Sequence, residues 1–107
     1  MLLTSGQGLG PMRGEVAYAA AKGALAAITP TLACELAPRI LLNTVNPGPV
    51  DTGWASGAAH EAVAARFPAG RWGRPEDTAR LVSWLVGEEG RWVVGQVLHA
   101  EGGFRRG

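Results

Sequence analysis

Tyr18 and Lys22 stand four residues apart in an Ala-rich segment, and Ser5 lies thirteen residues upstream of the tyrosine. Residues i and i+4 of a helix sit one above the other on a single face, so the phenol and the ammonium become neighbours. Such a pair suits proton handling. A free phenol ionises at about pH 10, and work as an acid or base near neutrality requires phenolate to be favoured by about 4 kcal/mol. A lysine ammonium one helical turn away acts in that sense. Ser5 is placed to donate a hydrogen bond to a carbonyl or alcohol oxygen at the same point, and a hydride carrier would complete an interconversion of ketone and alcohol.

Positioning these groups requires elements on either side. Met1 to Thr4 is a short apolar run stopped by Ser5-Gly6, which predicts a strand ending at a loop. Gly6 to Gly14 holds four glycines and a proline in nine positions and reads as loop. It lacks the G-x-G-x-x-G spacing of a dinucleotide fingerprint. From Glu15 to about Ala37 helix formers dominate, with a stop at Pro38-Arg39 and, at Pro30, an expected bend or one lost hydrogen bond. The many small residues predict burial of this helix on more than one side, with Cys34 as a core or helix-contact position.

Ile40 to Val45 predicts a second buried strand, stopped by Asn46-Pro47-Gly48-Pro49. Ala55 to Arg66 is weakly helical and carries His60, which reads as a solvated surface residue. Pro75-Glu76-Asp77 is a helix start, with proline at the first helical position and carboxylates where the macrodipole is positive, and Gly87 is a suitable cap. Trp92 to Ala100 predicts a third strand. All four tryptophans are expected to serve packing. The order strand, helix, strand, helix, strand predicts an α/β fold with a parallel sheet, whose ligands bind beyond the carboxyl ends of the strands. Ser5, Tyr18, Lys22 and the Asn46–Thr52 loop all fall at that edge.

Composition narrows the function. At 107 residues the chain is one domain at most. No apolar run approaches the ~18 residues of a membrane span, so neither a transmembrane helix nor a membrane partner is expected. The N-terminus has no basic segment followed by a long apolar one, which points to a cytoplasmic protein without a cleaved signal. One cysteine and no Cys/His cluster predict neither a disulfide within the chain nor a metal. Ten basic and nine acidic residues are scattered, apart from Arg105-Arg106, so no nucleic-acid footprint is present.

These motifs together resemble the short-chain dehydrogenases/reductases, in particular the 3-oxoacyl-[acyl-carrier-protein] reductase-like members. Ser5 matches the family's serine and Tyr18-Ala19-Ala20-Ala21-Lys22 its Tyr-x-x-x-Lys. Asn46-Pro47-Gly48-Pro49-Val50-Asp51-Thr52 matches its nicotinamide loop. Gly70-Arg71-Trp72-Gly73-Arg74-Pro75-Glu76, Gly95-Gln96-Val97 and Gly102-Gly103 match its C-terminal signatures.

The resemblance implies the C-terminal half of a Rossmann-type doubly wound parallel sheet, about three strands and two main helices, as a single partial domain over residues 1–107. It implies an NAD(P)-dependent oxidoreductase acting on a small carbonyl or secondary alcohol, with NAD or NADP as cofactor and a homo-oligomeric full-length form. Tyr18 would be the proton donor or acceptor, Lys22 would favour phenolate and bind the nicotinamide ribose, and Ser5 would orient the substrate oxygen. Pro47, Gly48, Val50 and Thr52 would line the nicotinamide beside Tyr18 and Lys22. The phosphate loop, the residue choosing NAD or NADP and the relay asparagine belong to the family's first half, which these residues do not contain. A fragment inactive alone, or an association module using the Ala-rich helix, is the alternative expectation. A right-handed last crossover would set both helices on one face of the sheet; the resemblance implies instead that the Pro75–Gly87 helix lies on the opposite face.

Overall fold

In a computed structural model that describes residues 1–106, three short parallel strands lie in the order β1 (Leu2–Leu3), β2 (Thr44–Asn46), β3 (Val97–His99). Leu3 is opposite Val45, and Val45 opposite Leu98. Helix α1 (Val16–Leu36) connects β1 to β2; α2 (Gly57–Ala64), α3 (Pro75–Val86) and a 3₁₀ turn (Glu88–Gly90) connect β2 to β3. The fold is the predicted α/β one with a three-stranded parallel sheet. Its strands are shorter than the apolar runs that announce them, because a strand lasts only where a neighbour pairs with it. Ile40 and Leu41 precede the β2 ladder and are exposed.

The predicted start of α3 is as observed. Pro75 opens the helix, Glu76 and Asp77 occupy its first turn, and Asp77 Oδ2 accepts the Arg74 N–H at 2.8 Å. Arg71 clamps the same carboxylate at 2.8 Å, and these hydrogen bonds, that of Arg71 first, hold the Asp77 pKa down at about 2.

The two long helices take opposite faces. Thr44 turns its hydroxyl onto Thr29 of α1 at 2.6 Å. Asn43, one residue earlier and so on the other face, lines a recess with Leu85 and Val86 of α3. The placement of α3 implied by the resemblance, on the face opposite α1, therefore holds.

Several expectations about burial fail. Helix α1 buries only Thr29 and Ala33, so it is covered on one stripe rather than several. Cys34 is exposed. The helix continues through Pro30, which has no N–H to donate, with the Thr29 hydroxyl bonded to Leu25 O at 2.7 Å one residue earlier. By length and composition α1 would also suffice to cross a membrane, against the expectation from the sequence. Its packing on β1 and β2 gives it another place here. Of the four tryptophans only Trp72 is buried, 4% exposed, whereas Trp92 is 98% exposed. The core is small and centres on Val45, Leu42, Phe67, Trp72, Leu85 and Ala33.

Candidate active site

The C-terminal ends of β1 and β2 open into a cleft of about 510 Å³. Ser5 follows β1 and Tyr18 lies in the first turn and a half of α1; both line the cleft. The opposite wall is the loop after β2, with Pro47, Gly48, Val50 and Thr52. The fold thus brings six of the seven residues singled out in the sequence to one cavity. Lys22 is set behind Tyr18, its Nζ 5.9 Å from the phenol ring centroid. It is held there by donating to Leu3 O at 3.1 Å, while Lys22 O accepts the Thr4 hydroxyl at 2.7 Å. One strand end therefore anchors both the lysine and the helix turn that carries it.

Asn46, fully buried, builds the loop. Its Oδ1 accepts the Gly48 N–H at 3.0 Å, an Asx turn. Its Nδ2 donates to Glu101 Oε1 at 2.7 Å and faces His99 Nδ1 at 3.0 Å. Gly48 has φ 66°, and a Cβ there would come within 2.9 Å of the Glu101 Cα, so glycine is needed for two independent reasons. The Glu101 carboxylate also pairs with Arg106, which reaches the cleft from the C-terminal segment. Glu101 does not stand out as a site residue by chain position, whereas Asn46 opens the loop that the sequence places at this edge. The Asn-Pro-Gly turn signal marks Asn46 in the sequence; its bond to Glu101 has no local signal.

Beyond Gly48, Gly73 N–H donates to Pro49 O at 3.2 Å and Asp51 N–H donates to Gly73 O at 2.9 Å. This one-residue parallel bridge turns the N–H of Val50 away from Gly73. A nicotinamide carboxamide needs an N–H donor and a polar partner, and Val50 N–H with the Thr52 hydroxyl would offer that chemistry on a loop whose glycine keeps the wall low. The residues present fit the nicotinamide end of such a cofactor.

His60 keeps about a third of its side chain exposed, as a surface residue should, yet it is also engaged. Its Nε2 meets Asp51 Oδ2 at 2.9 Å and its ring stacks on Trp72 at 4.9 Å. The His60 hydrogen bond, helped by the Gly53 N–H, holds the Asp51 carboxyl below the usual carboxylate range. This pair ties α2 to the loop after β2. Trp54, on the same loop, also lines the cleft.

A doubly wound parallel sheet with a serine, a tyrosine and a lysine around a loop suited to nicotinamide defines a class of oxidoreductase folds. Residues 1–105 match the sequence profile of the family described as Enoyl-(Acyl carrier protein) reductase. The chain is 50% identical over 106 residues to the uncharacterized oxidoreductase YjdA of Bacillus subtilis, covering 98% of this chain and 42% of that protein. It is 38% identical over 95 residues to the 3-oxoacyl-[acyl-carrier-protein] reductase FabG of Thermotoga maritima, covering 85% of this chain and 39% of that one. The solved structure of BdcA in complex with NADPH superposes with a TM-score of 0.83 at 37% identity, over 95% of this chain and 43% of that one. The chain belongs to the short-chain dehydrogenase/reductase family, among its 3-oxoacyl-[acyl-carrier-protein] reductase-like members. It spans less than half the length of the curated relatives it matches.

Proposed function

We propose that these residues form the catalytic half of an NAD(P)-dependent oxidoreductase that interconverts a carbonyl and a secondary alcohol. The observation that carries this reading is the single cleft shared by Ser5, Tyr18 and the Pro47–Thr52 loop, with the Lys22 ammonium behind the phenol. A bound nicotinamide supplies or accepts the hydride at the substrate carbon. Ser5 donates a hydrogen bond to the substrate oxygen. In reduction, the Tyr18 hydroxyl gives its proton to that oxygen as negative charge develops there. The ammonium of Lys22, fixed by Leu3 O, stabilises the phenolate left behind. Lys22 would also hold the nicotinamide ribose, and Pro47, Gly48, Val50 and Thr52 the nicotinamide itself, beside Tyr18. NADPH bound to BdcA supports a nicotinamide cofactor of this kind.

Within these 107 residues there is no Gly-rich phosphate loop, so the reading assigns turnover to a chain that also carries a cofactor-phosphate half, and inactivity to this one alone. Joining residues 1–107 behind the N-terminal half of the Bacillus subtilis relative tests it. The joined chain is expected to reduce ketones with NADPH or NADH. Tyr18→Phe is expected to lower turnover by about 10²–10⁴-fold, the usual worth of a positioned general acid; unchanged turnover refutes the assignment.

A second reading is favoured by a different observation. Val16 is 82% exposed, and Ile28 and Leu3 are also uncovered, so α1 and the β1 edge present apolar surface without a partner within the chain. On this reading the 107 residues act as an association module, with α1 as the contact helix.

A further inference from the structure

The geometry points to Trp54 as the specificity-determining residue of the cleft, holding a ring-bearing ketone without an anionic group against its indole while the ketone oxygen meets Ser5 and Tyr18. The inference rests on the carbonyl–alcohol reading above and adds the class of substrate. Trp54 is 64% exposed, yet it is not loose. Its Nε1–H donates to Val50 O at 2.9 Å, and its ring meets Trp72 in a T-shaped contact with centroids 4.9 Å apart. Trp72 is buried and donates its own Nε1–H to His60 O at 2.9 Å. The stack of His60 on Trp72 and the Asp51–His60 pair close the set.

Three side chains and one main-chain carbonyl thus hold in place an indole that covers little of the protein itself and lines the cleft of the proposed proton donor. A large apolar surface ordered in advance gives up little entropy when a ligand lands on it. Aromatic partners gain beyond their buried area, which favours a ring over a short aliphatic chain. Met12 lines the same cleft, and its thioether is a favourable neighbour for an aromatic ring. Negative charge in the substrate finds little welcome: the guanidinium that reaches the cleft, Arg106, is already paired with Glu101, and the Glu15 carboxylate lines the same cleft.

The 107-residue chain itself provides the test, because binding needs no hydride transfer. In ¹H–¹⁵N spectra the Trp54 indole N–H, assigned by its loss in Trp54→Phe and Trp54→Ala, is followed on addition of acetophenone and, separately, acetone. Acetophenone is expected to shift this resonance saturably and acetone to leave it near its starting position. Trp54→Ala is expected to weaken acetophenone binding by about tenfold, read from the Gly48 and Thr52 amides, and Trp54→Phe by no more than about threefold, because the ring is kept. The indole signals of Trp72, Trp84 and Trp92 report whether each variant keeps its fold. Absence of an acetophenone shift at Trp54, equal response to acetone, or equal binding by wild type and a folded Trp54→Ala overturns the inference. The reaction assignment stands or falls separately, on Tyr18→Phe turnover.

Discussion

Thr29 has one hydroxyl proton and two oxygens within reach, Leu25 O at 2.7 Å and Thr44 Oγ1 at 2.6 Å. A carbonyl can only accept, so the Thr29 proton goes to Leu25 and the Thr44 hydroxyl donates to Thr29. Both threonines are fully buried, and the pair is the polar contact between α1 and β2. Thr29→Val removes the acceptor and leaves the Thr44 hydroxyl unpaired, at an expected cost of about 1–3 kcal/mol in unfolding free energy. Thr29→Val with Thr44→Val together should recover most of that loss, since neither hydroxyl is then left unsatisfied; denaturant titration of the single and double variants checks it. At this scale the Tyr18–Lys22 pair, Ser5 after a strand and the Pro47–Thr52 loop were legible in the sequence because the signal that marks each of them is local. The threonine pair, the Asn46–Glu101 bond and the Trp54–Trp72 contact were not. Each joins residues at least fifteen apart, and nothing in either segment alone announces its partner.

Among the elements, α3 is the one whose start depends most visibly on charge. Asp77 has a folded-state pKa of about 2, below its ordinary 3.8, because Arg71 and the Arg74 N–H bind its ionised form. A depressed carboxyl pKa contributes stability that is complete above the unfolded value and is lost as pH falls through the folded one. The loss therefore falls between about pH 4 and pH 2. Asp77→Asn is expected to lower the melting temperature at pH 7 and to flatten the stability profile across that window. Thermal unfolding from pH 2 to pH 7 measures both, and an Asp77→Asn profile as steep as wild type's would contradict the assignment. Helices were readable from Pro75-Glu76-Asp77 and from the Ala-rich run after Glu15, since start signals and propensity act within one or two turns. Strand lengths were not. The Ile40–Val45 run shortened to a ladder over Thr44–Asn46, and Trp92–Ala100 to Val97–His99, because pairing is decided by the neighbouring strand.

The molecule as a whole is thin. Its extents are 47 × 30 × 20 Å, and its radius of gyration of 14.9 Å exceeds the ~13 Å of a compact domain of this length. A three-stranded sheet flanked by helices on both faces cannot cover a 21-residue helix, which explains why α1 shows most of its surface. Burial of a Val or Ile side chain in a contact contributes about 1.5–3 kcal/mol, so self-association through α1 should respond strongly to its loss. In sedimentation velocity the chain is expected to associate as concentration rises, and Val16→Glu with Ile28→Glu to weaken that association by tenfold or more. A wild-type chain that stays monomeric throughout the accessible range would remove the support for the association reading.

The order of elements, the starts of α1 and α3, and the Ser5, Tyr18, Lys22 and Asn46–Thr52 constellation followed from the amino-acid sequence alone. Spacing on a helix, turn chemistry and strand-ending glycines are short-range effects, complete within a few residues of where they are read. Only the tertiary structure decided that α1 is covered on one stripe, that Cys34 and three of the four tryptophans face outwards, that His60 joins Asp51 and Trp72, and that Trp54 stands in the cleft. Burial and exposure depend on what the rest of the chain places opposite a residue, and here the small sheet leaves much of each helix with nothing opposite it.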